Sequence, residues 1–426
     1  MLTSLSSIAL AIYLLIICLM ALQSLFNLRM QLFIWGEPRR ALFNQPPVAF
    51  AEPKISFTVL LPARHEEAVI GATIEKICRA NYPRDLLQVL VICEAGDIGT
   101  INTVHAKLAE PGKEHVRLIV FSDTPINKPH GLNKGLQAAA MDVVTIFDAE
   151  DEPHEDIFQI INTTLAQEDV EVVQGGVRLM NYDTYWFSAL NVLEYYFWFK
   201  STLHYFGWSG IVPLGGNTVF VKRATLLAAG GWDEQCLTED AEIGIRLSAA
   251  GARIRILCDD DHVTREETPD NVRALVKQRT RWHQGFLQVL LKGDWLRLPT
   301  LSQRLLAAYL LAIPFIQGIF ALMLPVSLAM MVFVKLPVWL ALFTFLPLYV
   351  FGAQLVLNVV ALAEFIRAQH RGYSPRVFVL SVLGFFPYQW LLAVSAVRAI
   401  LRQARKQTNW EKTAHVGAHR KVREVA

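Results

Sequence analysis

The residues best placed to do chemistry in this chain are carboxylates that follow apolar runs. Asp148-Ala149-Glu150-Asp151-Glu152 comes directly after the run that ends at 147, and Glu94 and Asp97 follow the run 87–93. Carboxylates crowded this closely repel one another unless a cation neutralises them. Their hard oxygens suit Mg²⁺ or Mn²⁺, ions that usually also take oxygens from a substrate diphosphate. A solvated acidic loop is the plain alternative, and the strand-end position argues against it. Asp148 is the first candidate ligand, with Glu150 and Asp151 competing to be the second. Downstream, Thr238-Glu239-Asp240 leads into a helical stretch at 241–250, with Thr238 as the expected cap. Read plainly, this is a good helix start, since acids favour the positive end of a helix dipole. Gln278-Arg279-Thr280-Arg281-Trp282 lies in a basic, helical segment that by itself suits a membrane interface with an aromatic anchor.

Holding these groups together requires strands that end on one side. Residues 57–61, 87–93, 118–121 and 143–147 read as buried strands, with helical patterns at 67–80 and 130–140 between them. This alternation predicts an α/β domain with a mainly parallel sheet covered by helices on both faces. Ligands bind such sheets beyond the carboxyl ends of the strands. Pro62-Ala63-Arg64-His65-Glu66-Glu67 occupies that position after the first strand. His65 reads there as an ordinary surface histidine.

The rest of the chain is unusually apolar. A hydrophobic fraction of 53% and a mean hydropathy of +0.32 exceed what a soluble domain carries, and the excess lies in 1–28 and 305–400. Residues 1–28 hold no charge and are long enough to cross a bilayer, without the basic start of a signal peptide. Arg29, Arg39 and Arg40 follow that run, which places the amino terminus outside and the next domain in the cytoplasm. Three more apolar segments, 305–334, 338–363 and 377–397, would leave the basic tail outside if each crossed once. Either the third, interrupted by Pro387 and Gln389, is re-entrant or interfacial, or the block hides a fourth crossing. From Arg398 onward the chain has eight Lys/Arg against two Glu, which suits an anionic membrane surface. No nucleic-acid module accompanies that charge. Five scattered cysteines form neither a zinc pattern nor a disulfide framework, and they read as reduced thiols.

Taken in order, Pro62-Ala63-x-x-Glu66, the Glu94/Asp97 strand end, Lys128-Pro129-x-x-Leu132-Asn133, Asp148-x-Glu150-Asp151, Thr238-Glu239-Asp240 and Gln278-x-x-Arg281-Trp282 resemble one family. The chain is similar to the membrane-integrated family 2 inverting glycosyltransferases, the group of cellulose, hyaluronan and chitin-oligosaccharide synthases. The resemblance runs from about 57 to 282, and Asn409-Trp410-Glu411-Lys412-Thr413-Ala414-His415 is similar to an element that follows the last apolar segment in some bacterial members. It implies a GT-A, Rossmann-like domain in which Glu66, Glu94 and Lys128 hold the donor nucleotide. Asp148, with Glu150 or Asp151, would bind the metal, and Arg281 the diphosphate. Asp240 would act as general base, with Glu239, Gln278 and Trp282 bordering the acceptor. Two positions depart from the family pattern: Glu94 and Glu150 stand where many members have aspartate.

The expected organisation is a transmembrane helix at 1–28, a linker at 29–54 and a cytoplasmic GT-A domain at 55–292 ending in an interfacial helix. A membrane region at 293–403 and a basic cytoplasmic tail at 404–426 follow. The expected protein is an integral protein of a bacterial inner membrane that adds a sugar from a nucleotide sugar, UDP-linked, to a growing β-linked polysaccharide. Single transfer to a membrane lipid is the alternative. A transporter or scaffold with a degenerate transferase domain is disfavoured, because Asp148, Asp240, Arg281 and Trp282 are all present.

Overall fold

The central strand β1 (Phe57–Ala63) is almost wholly apolar because helices cover both faces of its sheet. The computed structural model describes residues 2–36, 45–333, 338–411 and 416–421. In it, β1 pairs in parallel with β2 (Leu87–Glu94) and β4 (Val143–Ile146), and β2 pairs in parallel with β3 (Val116–Phe121). The remaining strands are β5 (Val172–Gly175), β6 (Val177–Leu179), β7 (Val219–Lys222), β8 (Ile254–Leu257) and β9 (Thr264–Glu266). The seven-stranded sheet runs β3-β2-β1-β4-β7-β5-β8, with β7 antiparallel to both neighbours, while β6 and β9 form a separate parallel pair. The α/β architecture with a mainly parallel sheet is the one expected.

Successive side chains of β1 point to opposite faces, and two cores result. Phe57, Val59 and Leu61 pack with Ile70, Ile74, Phe158 and Ile161, whereas Leu60 packs with Leu132, Leu136, Ile243 and Leu247. The principal helices are α1 (Leu2–Gln31), α2 (Ile70–Cys78), α3 (Ile98–Leu108), α4 (Lys128–Ala138), α5 (Ile157–Gln167), α6 (Ser188–Phe197) and α7 (Glu239–Ala249). After them come α8 (Val272–Lys292), α9 (Leu301–Leu311), α10 (Ile313–Phe333), α11 (Leu346–Ala368) and α12 (Pro375–Ala404). The segment before β1 is tied to the domain, with the backbone N–H groups of Lys54 and Ile55 donating to Asn162 Oδ1 on α5.

Among the described residues, three helices are long and apolar enough to cross a membrane: Leu10–Gln31 of α1, then α11 and α12. The 21-residue α10 carries no charged side chain either. The third apolar segment of the sequence is one unbroken 30-residue helix, continuous through Pro387. It lies along the sheet domain from end to end. Val377 shares a core with Tyr182, Phe385 and Tyr388 share one with Leu190 and Leu275, and Arg402 Nε donates to Gln284 Oε1 at 2.9 Å. The helix packs on both the sheet domain and α10, and it runs unbroken through Pro387 and Gln389.

The tail also turns back onto the domain. Arg398 makes two 2.7 Å hydrogen bonds to the Glu411 carboxylate, and Arg420 donates to the carbonyls of Val69 and Glu150. Part of the basic charge read as a membrane-facing tail is thus spent on intramolecular contacts. Arg39 and Arg40, the Lys335-Leu336-Pro337 joint and Lys412 to His415 lie outside the described residues.

Candidate active site

The strand ends do converge. Glu66, Glu94, Lys128, Asp148, Glu150, Glu239, Asp240, Gln278, Arg281 and Trp282 all line one cleft of about 680 Å³. Each is delivered by a short local device. Asp97 caps α3, accepting from Thr100 N, and its other oxygen accepts from the His65 backbone N–H at 2.6 Å. This fixes the turn that carries Glu66 after β1. His65 itself is 61% exposed, as expected, with Nδ1 3.5 Å from Asp97. Glu94 curls back to accept from Gly96 N at 2.7 Å. Asn127 caps α4 and sets Lys128 in its first turn.

Lys128 is the electrostatic centre. Its Nζ lies 2.5 Å from Asp148 Oδ1, 3.0 Å from the Gly216 carbonyl and 3.9 Å from Glu239 Oε1. Burial works against its charge, yet Asp148, Glu239 and Asp240 hold its pKa above the usual lysine value. Burial raises the Glu239 carboxyl to about 7, with Lys128 opposing the rise and Asp240 adding to it. Asp240 is likewise raised, first by burial, while its Oδ1 accepts from Ala241 N at 2.8 Å. A Cβ placed on Gly216 would fall 3.1 Å from Asp240 Oδ2 and 3.6 Å from Lys128 Nζ, so this glycine leaves room beside the base candidate.

The two competing acids of the Asp148 loop part company. Glu150 lines the cleft; Asp151 does not. Both Asp151 oxygens accept from Asn217 Nδ2, at 3.0 and 2.8 Å, and Oδ2 also accepts from Asp148 N at 2.7 Å. Asp151 is wholly buried and its pKa is pushed up, first by burial and then by Glu266. It shapes the loop from within. The groups left facing the cleft, the Asp148 and Glu150 carboxylates beside the substrate space, fit a hard divalent cation in their donor chemistry.

Thr238 stands at the N-cap of α7, but its side chain makes no cap hydrogen bond, contrary to expectation. It packs instead under α8, where Gly285 comes so close that a Cβ there would meet Thr238 Oγ1 at 2.4 Å. On α8, Arg279 stacks over Trp282 at 4.2 Å and pairs with Glu194 at 2.6 Å. Arg281 reaches the returning tail, donating to the Glu411 carbonyl at 2.9 Å and lying 4.6 Å over the Trp410 ring. Trp410 lines the cleft as well.

Several lining groups were not picked out from the sequence. Asn217 and Glu266 sit in the acidic half, Asn217 bridging Asp151 and Glu266. The short Gly215-Gly216-Asn217 run was the available signal. His283 and Gln317 also line the cleft, and both imidazole nitrogens of His283 and Gln317 Oε1 lack a partner among the described residues. No spacing rule marks them.

Known proteins resemble the chain in sequence and in fold. Residues 53–285, more than half the chain, match the family described as Glycosyltransferase like family 2. A probable glycosyltransferase of Bacillus subtilis, YdaM, is 27% identical over 249 residues, covering 56% of this chain and 57% of that protein. The beta-monoglucosyldiacylglycerol synthase of Trichormus variabilis is 26% identical over 385 residues, 85% of this chain and 76% of its own length. The chain spans about half the length of several curated relatives it matches. Among solved structures, the mannosyltransferase PcManGT from Pyrobaculum calidifontis, in complex with GDP-Man and Mn2+, shares the fold. Its TM-score is 0.57 at 18% identity, over 92% of this chain and 99% of that one. The chain belongs to the family 2 glycosyltransferases, and its sheet domain has the GT-A fold expected of them.

Proposed function

We propose that this protein transfers a sugar, with inversion, from a nucleoside-diphosphate sugar to a hydroxyl of a membrane lipid. The observation that carries the acceptor class is the far end of the cleft. From Asp240 it continues between α1, α10, α11 and α12, walled by Ile17, Met20, Ile316, Phe351, Phe385 and Leu392. Apolar walls opening among membrane helices suit acyl chains. The lipid acceptor therefore stands ahead of the polysaccharide expected from Gln278-x-x-Arg281-Trp282. The likeness to a glucolipid synthase over 85% of the chain supports the same choice. A second reading, polymer synthesis, rests on the neutral amides Gln23, Asn27, Gln317, Gln354 and Asn358 in the same walls.

In this reading Glu66, Glu94 and Lys128 seat a UDP-linked donor, with Arg281 on its diphosphate. Asp240 takes the proton of the attacking hydroxyl, a role that contributes about 10²- to 10⁴-fold. Attack opposite the leaving diphosphate inverts the anomeric centre. Lys128 and Arg281 offset the charge that builds on that diphosphate. Asp148 and Glu150 would hold Mg²⁺ or Mn²⁺, which supplies Lewis-acid stabilisation of the leaving group. Glu239, Gln278 and Trp282 border the incoming acceptor.

We infer the membrane arrangement with support from the same contacts. Arg29 at the end of α1 favours a cytoplasmic sheet domain, within a bacterial inner membrane. Crossings by α1, α10 and α11, with α12 lying on the domain, return the tail to the cytoplasmic side where Arg420 and Trp410 are found. That removes the conflict between span count and the basic tail.

Incubating the detergent-purified protein with a radiolabelled UDP-sugar and membrane lipids should give one organic-extractable product. A high-mass glycan in its place overturns the lipid reading. Unchanged nucleotide release by Asp240→Asn would remove Asp240 from its role.

A further inference from the structure

Away from the cleft, two loops bring His154, Asp156 and His262 together. One ligand atom from each can be chosen so that all lie within 4.8 Å of one another, and the two imidazole rings are 4.7 Å apart. None of the three lines the catalytic cleft. We propose that these residues form a second metal site, selective for a borderline transition-metal dication of the Zn²⁺ class. Two imidazole nitrogens with one carboxylate favour that class over Mg²⁺, which prefers oxygen alone.

The surroundings are those of a built site. Asp259 Oδ2 lies 2.6 Å from His262 Nδ1, and Asp259 Oδ1 accepts from His262 N at 2.8 Å. A carboxylate on one ring nitrogen fixes the tautomer and leaves the other nitrogen able to ligate. Asn81 Nδ2 holds Asp156 Oδ1 at 2.7 Å, so the Asp156 carboxylate is also oriented. His154 Nδ1 lies 3.9 Å from Asp156 Oδ2, and its 3.2 Å contact from Asp156 N is long enough to be given up. The three side chains are each about a quarter exposed, which leaves an entry path and room for water as further ligands. Bonds of about 2.1 Å at tetrahedral angles place ligands about 3.4 Å apart, so closure needs a shift of about 1.4 Å, within the reach of side-chain rotation.

The site would join two segments that matter to the cleft. Glu152 and Arg265 exchange two backbone hydrogen bonds of 3.0 Å between the same loops. One loop carries Asp148 and Glu150, and the other leads into Glu266, which lines the cleft. A cation at His154 and His262 would act as a clasp behind the acidic loop.

The test is Co²⁺ and Zn²⁺ binding to the full-length detergent-purified protein in excess Mg²⁺, which keeps hard oxygen sites occupied. Wild type should bind one dication that His154→Ala and His262→Ala each lose, while His65→Ala keeps it. Asp259→Asn should weaken binding about 10- to 100-fold. Zn²⁺ at a hundredfold excess over Kd should raise Tm by roughly 5 °C in wild type and not in the histidine variants. Equal stoichiometry in wild type and both histidine variants overturns the site. So does a Co²⁺ spectrum of purely six-coordinate, aquo-like form, or binding indifferent to Asp259→Asn.

Discussion

Gly285 on α8 and Thr238 before α7 touch so closely that no side chain fits between them: an added Cβ would lie 2.4 Å from Thr238 Oγ1 and 2.7 Å from its backbone nitrogen. The contact seats the helix bearing Gln278, Arg281 and Trp282 directly on the turn bearing Glu239 and Asp240. A rotamer change cannot relieve a clash with backbone. Gly285→Ala should therefore part the two elements, costing about 1–3 kcal/mol of stability and, through displacement of the base from the acceptor side, about 10²-fold in turnover. Thermal melting and nucleotide release measure the two effects. Wild-type turnover in this variant would show that the spacing has no catalytic role.

The Asp148 loop makes opposite demands on its two candidate second ligands. Asp151 receives three hydrogen bonds inside the protein, whereas Glu150 faces the cleft. Asp151→Asn turns one acceptor into a donor against those N–H groups, and should lower stability by about 1–3 kcal/mol. Glu150→Gln should raise the Mg²⁺ or Mn²⁺ concentration needed for half-maximal activity. Titrating metal against activity in both variants, after chelation with EDTA, separates the roles. The reverse pattern would make Asp151 the ligand.

What could be read in the sequence was whatever short-range pattern determines. Buried strands announced themselves as apolar runs, and acids at their ends were visible because strand, turn and acid are contiguous, as at Phe147 and Asp148. The contest between Glu150 and Asp151 was not readable, because it is decided by Asn217, 66 residues away. The course of α12 through Pro387 was left open for a related reason. A proline predicts a weakened helix, but packing of Phe385, Tyr388 and Leu392 on the domain determines where that helix goes. His154 and His262, 108 positions apart, were invisible as a pair until their loops met.

The buried acids should make stability and rate move in opposite directions with pH. Glu239 is raised from 4.5 to about 7, first by burial. Between those values the folded chain holds a proton that the unfolded chain has released, so stability falls as pH rises through that window. Turnover should rise with pH as Asp240 ionises, because Asp240, also raised by burial, accepts a proton only when ionised. Tm measured from pH 5 to 8 should decline less steeply in Glu239→Gln than in wild type. An identical slope in the two proteins would show that Glu239 does not carry the effect.

His283 tests which end of the cleft receives the acceptor. Burial, with Arg279 nearby, lowers its pKa to about 3, so the imidazole is neutral throughout the working range. A neutral ring with neither nitrogen partnered among the described residues, lining the cleft one residue beyond Trp282, is suited to an acceptor hydroxyl. It has no evident business with a diphosphate, whose charge Lys128 and Arg281 answer. His283→Phe keeps a flat aromatic ring and removes both hydrogen-bonding atoms. Loss of one hydrogen bond of about 1.4 kcal/mol corresponds to a tenfold change, which should appear in the acceptor KM and leave the donor KM near wild type. The pH profile should also stay in place, since a group neutral from pH 5 to 9 contributes no titration there. A variant whose donor KM rises while its acceptor KM stays fixed would move His283 to the nucleotide side and reverse the orientation proposed for the acceptor.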